Sequence, residues 1–177
     1  MTCIAAVVQD GVVYLAGERG ASEGDFILPL EKPKVWKDGE YLLGYYGTMY
    51  GELVQNYFEP PKYNGSNPDK HMKTTFRKAL KEFYSEWDVE DDSKEFGMII
   101  GFRGKIYESN IIDMSMTSFT IPFISSGSGG SYAMGSLYST QSYKDPKRRL
   151  KIALECAIEY STSCLGPIDI KIGRAHV

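Results

Sequence analysis

Three dipeptides, Asp10-Gly11, Asp38-Gly39 and Arg103-Gly104, each separate two short runs rich in β-branched, aromatic and other apolar residues. A glycine-containing dipeptide between such runs marks a tight hairpin, because the two-residue turn needs backbone with φ > 0. The pairs predicted on this basis are residues 3–9 with 12–16, 34–36 with 41–46, and 96–102 with 105–110. The first of them begins almost at the start of the chain, so residue 2 is expected to be tied into a sheet.

Helical periodicity fills the intervals. Met49, Leu53 and Tyr57 recur at i, i+4 and i+8 within residues 48–58, and Met72, Phe76, Leu80, Phe83 and Trp87 line one face of residues 69–87. Pro60, Pro61 and the run Asn64-Gly65-Ser66-Asn67-Pro68 make a loop between them. Residues 112–124 read as extended, and residues 125–130 as a small-residue turn into a helix over 131–140. A last helix has Asp145 as its cap and Pro146 at its first position; Gly166-Pro167 stops it, and residues 168–170 form a final strand. Strands thus come in groups separated by pairs of helices. That order predicts an α+β fold, a four-layer αββα sandwich of two antiparallel sheets with helices on both outer faces.

Composition narrows the function classes. A net charge of −3 offers no global support for nucleic-acid binding. No apolar run approaches the roughly 20 residues of a membrane span, and the start of the chain lacks the basic n-region of an export signal, so the expected location is cytoplasmic. Three cysteines and two histidines without CxxC spacing argue against a disulfide framework and against a metal site. No cofactor is expected. The last seven residues, KIGRAHV, resemble the translation of a sequencing adapter. The expected organisation is one domain over 1–171 with a non-native tail at 172–177, and His176 is given no role.

Chemistry could begin at Thr2. A small residue at position 2 permits removal of Met1, which leaves a free α-amine beside the threonine hydroxyl. An α-amine with a pKa of about 7.7–8.0 is a base at neutral pH, and on the same residue it is the most compact activator a hydroxyl can have. By itself a Met-Thr start is common, and a terminal Thr without a role is the alternative.

The remaining motifs change that balance. TCIAAVVQDGVVYLAGERGAS, KPKVW, GYYGTMYGELVQNYF and SGSGGSYAMGSL together resemble proteasome β-type subunits and the HslV protease, above all their small bacterial or phage-type relatives, along residues 2–170. The resemblance implies an N-terminal nucleophile hydrolase fold and a threonine-type peptidase. Glu18 lies sixteen places after Thr2, where the family has a catalytic Asp, and Lys34 lies thirty-two places after it, where the family has its active-site Lys. Gly47 corresponds to the family's oxyanion donor, and Ser128 to the serine that contacts the N-terminal amine. Tyr45, Tyr46 and Met49 are substrate-binding candidates because they neighbour Gly47 in the chain.

The implied partners are a peptide or unfolded-protein substrate, further copies of the chain in a homo-oligomeric ring, and an AAA+ unfoldase. Two departures stand out. Glu18 is a methylene longer than Asp, and the family's late acid has no counterpart in EYSTSCLGP, where Ser161 and Ser163 stand with Glu159 a turn away. These motivate two alternatives, a catalytically weak or inactive structural ring subunit of the same fold and an N-terminal hydrolase of a small amide. Cys3 would replace Thr2 as nucleophile only if both leading residues were removed.

Overall fold

The structure, a computed structural model, describes residues 2–89 and 95–173. Met1 and the tail beyond Gly173, with His176, lie outside the described residues. β1 (Ile4–Gln9) and β2 (Val12–Gly17) form an antiparallel hairpin whose turn residues Asp10 and Gly11 both have positive φ, 51° and 73°. β3 (Gly20–Glu23) and β4 (Phe26–Pro29) form a small separate hairpin. β5 (Val35–Asp38), β6 (Tyr41–Tyr46), β7 (Gly97–Phe102), β8 (Lys105–Asn110) and β9 (Met116–Ser118) are hydrogen-bonded in that order, every neighbouring pair antiparallel. The other large sheet runs β10-β1-β2-β11, with β10 at Phe123–Ser126 and β11 at Asp169–Ile172.

Strand alternation sorts the apolar residues into three layers. From β1 and the residue before it, Cys3, Ala5 and Val7 face α4 (Gly130–Ser139) and α5 (Pro146–Tyr160), where Leu137, Leu150 and Leu154 meet them. Ile4 and Ala6 point the other way, into a layer shared with Leu15, Leu42 and Ile99 between the two sheets. From β6, Tyr41, Leu43 and Tyr45 face a third cluster with Val54, Phe76 and Leu80, drawn from α1 (Tyr50–Tyr57) and the run Pro68–Glu86. The layers are therefore helix, sheet, sheet, helix, as the block order predicts. Cutting one of the fully buried inter-sheet leucines or isoleucines to alanine costs about 2–5 kcal/mol.

Four local features differ from the sequence reading. The β3–β4 hairpin is an additional element. The stretch 112–124 is two strands rather than one: β9 closes one sheet, and β10 joins the other and continues through Ser126. The helical run after Pro68 is α2 (Pro68–His71), a π-helical turn at Met72–Phe76 and α3 (Arg77–Glu86), with the Arg77 N–H reaching back to the Met72 carbonyl. β11 extends through Ile172, which pairs with Tyr14, so the sheet uses the first residue of the suspected tail.

Candidate active site

Thr2 sits one residue before Cys3 and the start of β1, and its backbone is gripped by the loop between β10 and α4. Its nitrogen donates to Ser128 Oγ at 3.1 Å, and its carbonyl accepts from the Gly129 N–H at 3.3 Å. Gly127 makes this approach possible: it has φ +94°, and a Cβ there would stand 2.1 Å from the Thr2 oxygen. With Met1 attached the Thr2 nitrogen is an amide. Removing Met1 would turn that same atom into an amine beside Ser128.

Glu18, immediately after β2, is fully buried at 0% exposure and accepts from four donors. Oε1 takes the Cys3 N–H at 3.1 Å and Lys34 Nζ at 2.7 Å; Oε2 takes the Gly20 N–H at 2.6 Å and the Leu165 N–H at 2.8 Å. A carboxylate withdrawn from water is tolerated only with such a complement of donors. Glu18 Oε2 lies against Gly20, where a side chain would collide with it. A Cβ on residue 20 would lie 2.7 Å from Glu18 Oε2 and 2.8 Å from the Leu165 nitrogen.

Lys34 precedes β5 and is 1% exposed. Its Nζ stands 2.9 Å from Thr2 Oγ1, contacts Glu18, and also bonds the Gly20 carbonyl. Burial holds its ammonium below the ordinary lysine range, and the Glu18 carboxylate opposes that shift. Glu18 and the Gly20 carbonyl are both acceptors, so they use two of the amine's N–H groups whatever its charge. The contact to Thr2 Oγ1 is then reversible in sense: a charged Lys34 donates a third N–H to the hydroxyl oxygen, and a neutral one accepts the hydroxyl proton.

A cleft of about 550 Å³ opens in front of these groups. Thr2, Lys34, Gly47 and Met49 line it, together with Phe26 and Leu28 of the β3–β4 hairpin. Gly47 has φ +93°, and a Cβ there would stand 2.2 Å from the Glu95 carbonyl oxygen, so no other residue fits this bend. Met49 is exposed at the cleft. Tyr45 reaches it from the helix-side core, in which it is buried. Tyr46 is not among the cleft-lining residues; alternation turns it to the inter-sheet layer, where its hydroxyl donates to Glu108 Oε1 at 2.8 Å. Cys3 lies in the core against α4 and α5, where burial pushes its thiol far up.

The structure thus brings Thr2, Glu18, Lys34 and Ser128 into one hydrogen-bonded group beside Gly47. Glu159, at the end of α5, is exposed. Asp169, an acid soon after that helix, is held by Arg19 at 2.6 and 2.8 Å. Sequence reasoning missed Gly20, the Leu165 N–H and the hairpin wall. Gly20 was visible as a glycine two residues after the acid, while the Leu165 contact spans 147 residues and leaves no local signal.

Comparison with solved structures gives this arrangement its setting. BPH from Thiobacillus denitrificans, in one structure in complex with epoxomicin, matches with TM-score 0.78 and 20% identity over 99% of this chain and 100% of that one. The chain has the N-terminal nucleophile hydrolase fold. HslV from Trypanosoma brucei shares it with TM-score 0.71 and 16% identity over 97% of this chain and 98% of its own. Anbu, the ancestral β-subunit from Yersinia bercovieri, does so at 0.69 and 13% over 97% and 81%. No family model and no curated protein sequence matches this one. At these identities the shared fold stands on backbone geometry and not on sequence.

Proposed function

We propose that the chain is a threonine-type endopeptidase of the proteasome and HslV kind, acting through Thr2 after loss of Met1. The observation that carries the reading is the 2.9 Å contact between Lys34 Nζ and Thr2 Oγ1, made in a buried group that opens directly on a cleft. Thr2 Oγ attacks the carbonyl carbon of a peptide held in the cleft. The α-amine of Thr2, seated by Ser128, takes the hydroxyl proton through a water molecule and later passes it to the leaving amine. Lys34 stabilises the developing alkoxide, and Glu18 holds Lys34 in place by a charge-assisted hydrogen bond. The Gly47 N–H stabilises the oxyanion of the tetrahedral intermediate. Water then hydrolyses the acyl-enzyme and regenerates Thr2.

Tyr45 and Met49 are the substrate contacts of this reading, and the hairpin residues Phe26 and Leu28 add apolar surface to the same cleft. The substrate is a peptide or an unfolded protein, and the cytoplasmic chain works as a homo-oligomeric ring served by an AAA+ unfoldase. Intact mass of the purified protein, before and after an epoxyketone such as epoxomicin, tests the central claim. The expected result is loss of Met1 and one adduct per chain on Thr2, abolished by Thr2→Ala. A mature chain that keeps Met1, or one that the epoxyketone never modifies, would sink the reading in favour of an inactive ring subunit. Modification without peptide cleavage, accompanied by turnover of a small amide, would replace the substrate class.

A further inference from the structure

Tyr46 and Ser126 converge on one atom. Tyr46 on β6 and Ser126 on β10 both donate to Oε1 of Glu108 on β8. The two donors belong to different sheets, since β6 and β8 lie in the five-stranded sheet and β10 in the four-stranded one. Tyr46 pairs with Gly97 on β7, and a Cβ at Gly97 would lie 2.2 Å from the Tyr46 hydroxyl. The phenol therefore crosses β7 through space that only glycine leaves open, and so reaches the next strand. Glu108 shares the face of Ile106, which is packed between the sheets, so its carboxylate lies at the inter-sheet layer and requires donors there.

The segments joined in this way flank Thr2. Tyr46 is followed by Gly47 at the cleft, and Tyr45 donates its N–H to the Lys34 carbonyl at 3.2 Å. Ser126 is followed by Gly127, packed on the Thr2 carbonyl, and by Ser128, which accepts from the Thr2 nitrogen. We infer that Glu108 is a positioning residue: through Tyr46 and Ser126 it locks the Gly47 segment of one sheet to the Ser126–Ser128 segment of the other, and so sets Thr2 relative to Gly47 in the cleft. The lock stands on the hydrogen bonds alone; its catalytic consequence rests on the peptidase reading.

The test is reciprocal and uses the full chain. Amide hydrogen exchange is followed at Gly129, which bonds the Thr2 carbonyl, and at Tyr45, which bonds the Lys34 carbonyl, with Val8, bonded to the Pro122 carbonyl, as a remote reference. Tyr46→Phe removes one oxygen from β6 and is expected to speed exchange at Gly129, on the other sheet, about fivefold. Ser126→Ala is expected to do the same at Tyr45, and Glu108→Gln to speed both. Val8 should change less than twofold. Substitutions that speed exchange only on their own strand, or that speed Val8 equally, overturn the lock.

In the peptidase assay each variant is expected to lose about tenfold in kcat with KM within twofold, as misplaced catalytic groups do. Wild-type kcat in all three variants overturns the positioning role. If wild-type Thr2 is never modified by an epoxyketone, the peptidase reading and the catalytic half of this inference fall together, and the exchange data still decide whether the lock exists.

Discussion

Gly20→Ala is the sharpest probe of the buried group, because the obstacle it creates is defined on three sides. The added Cβ would stand 2.7 Å from Glu18 Oε2, 2.8 Å from the Leu165 nitrogen and 2.6 Å from Ile27 Cδ1. The Ile27 methyl can turn away, but the other two atoms belong to a closed network. Relief requires Glu18 Oε2 to retreat by several tenths of an ångström. That retreat stretches the 2.6 Å bond to the Gly20 N–H and the 2.8 Å bond to the Leu165 N–H, and through Oε1 it drags on the 2.7 Å contact to Lys34. Overpacking of this kind costs about 1–3 kcal/mol, which in a chain of this size lowers Tm by about 2–4 °C per kcal/mol. Displacement of Lys34 on the ångström scale lowers the rate of Thr2 modification by up to about 10²-fold. Glu18→Asp shortens the acid by a methylene, so the double variant should recover part of both losses, with a coupling of about 1 kcal/mol in a thermal-melt cycle. Additive effects, or a Gly20→Ala protein that melts and reacts like the wild type, would refute the idea that glycine at 20 complements the longer acid.

Lys34→Met leaves the Glu18 carboxylate buried with three backbone donors and no cation; unfolding measurements should show a loss of about 3 kcal/mol, and epoxyketone labelling should vanish. The same residue gives a pH signature. Native Lys34 releases its proton below the ordinary lysine value of 10.5, so in the interval up to 10.5 the unfolded chain binds more protons. Stability measured relative to Lys34→Met should therefore rise with pH across that interval and level off above it; a fall across it would be the wrong sign. Gly127→Ala, which sets a Cβ 2.1 Å from the Thr2 oxygen at φ +94°, should displace Thr2 and slow labelling at least tenfold while the helices persist by circular dichroism.

The hairpins were legible because Asp10-Gly11 and Arg103-Gly104 combine turn chemistry with apolar flanks, and the helices because a 3.6-residue stripe survives in Met72, Phe76 and Leu80. The spacing of Thr2 and Glu18 was legible too, since β1, its turn and β2 leave no freedom for a gap; Lys34, beyond a hairpin that was not seen, was found only through its match to the family's spacing. The β3–β4 hairpin was not. Phe26 and Leu28 are exposed at the cleft rather than buried in a core, so the pattern that marks a half-buried strand is missing. Tyr45 and Tyr46 were both assigned to the cleft from proximity to Gly47, but adjacent strand residues face opposite sides and only Tyr45 lines it. The surroundings of the longer acid were not legible, because its contacts with residues 20 and 165 are assembled only by the folded chain.

That assembly also dates the chemistry. Thr2 meets Ser128 across 126 residues, and Glu18 meets Leu165 across 147. Neither contact can form until the two segments it joins have been made and docked, and such distant pairings are slow to close. A nascent or partly folded chain carries its threonine and its lysine as ordinary side chains. If the proposed peptidase reading holds, the cutting group comes into being only when the molecule no longer presents loose segments of its own to be cut.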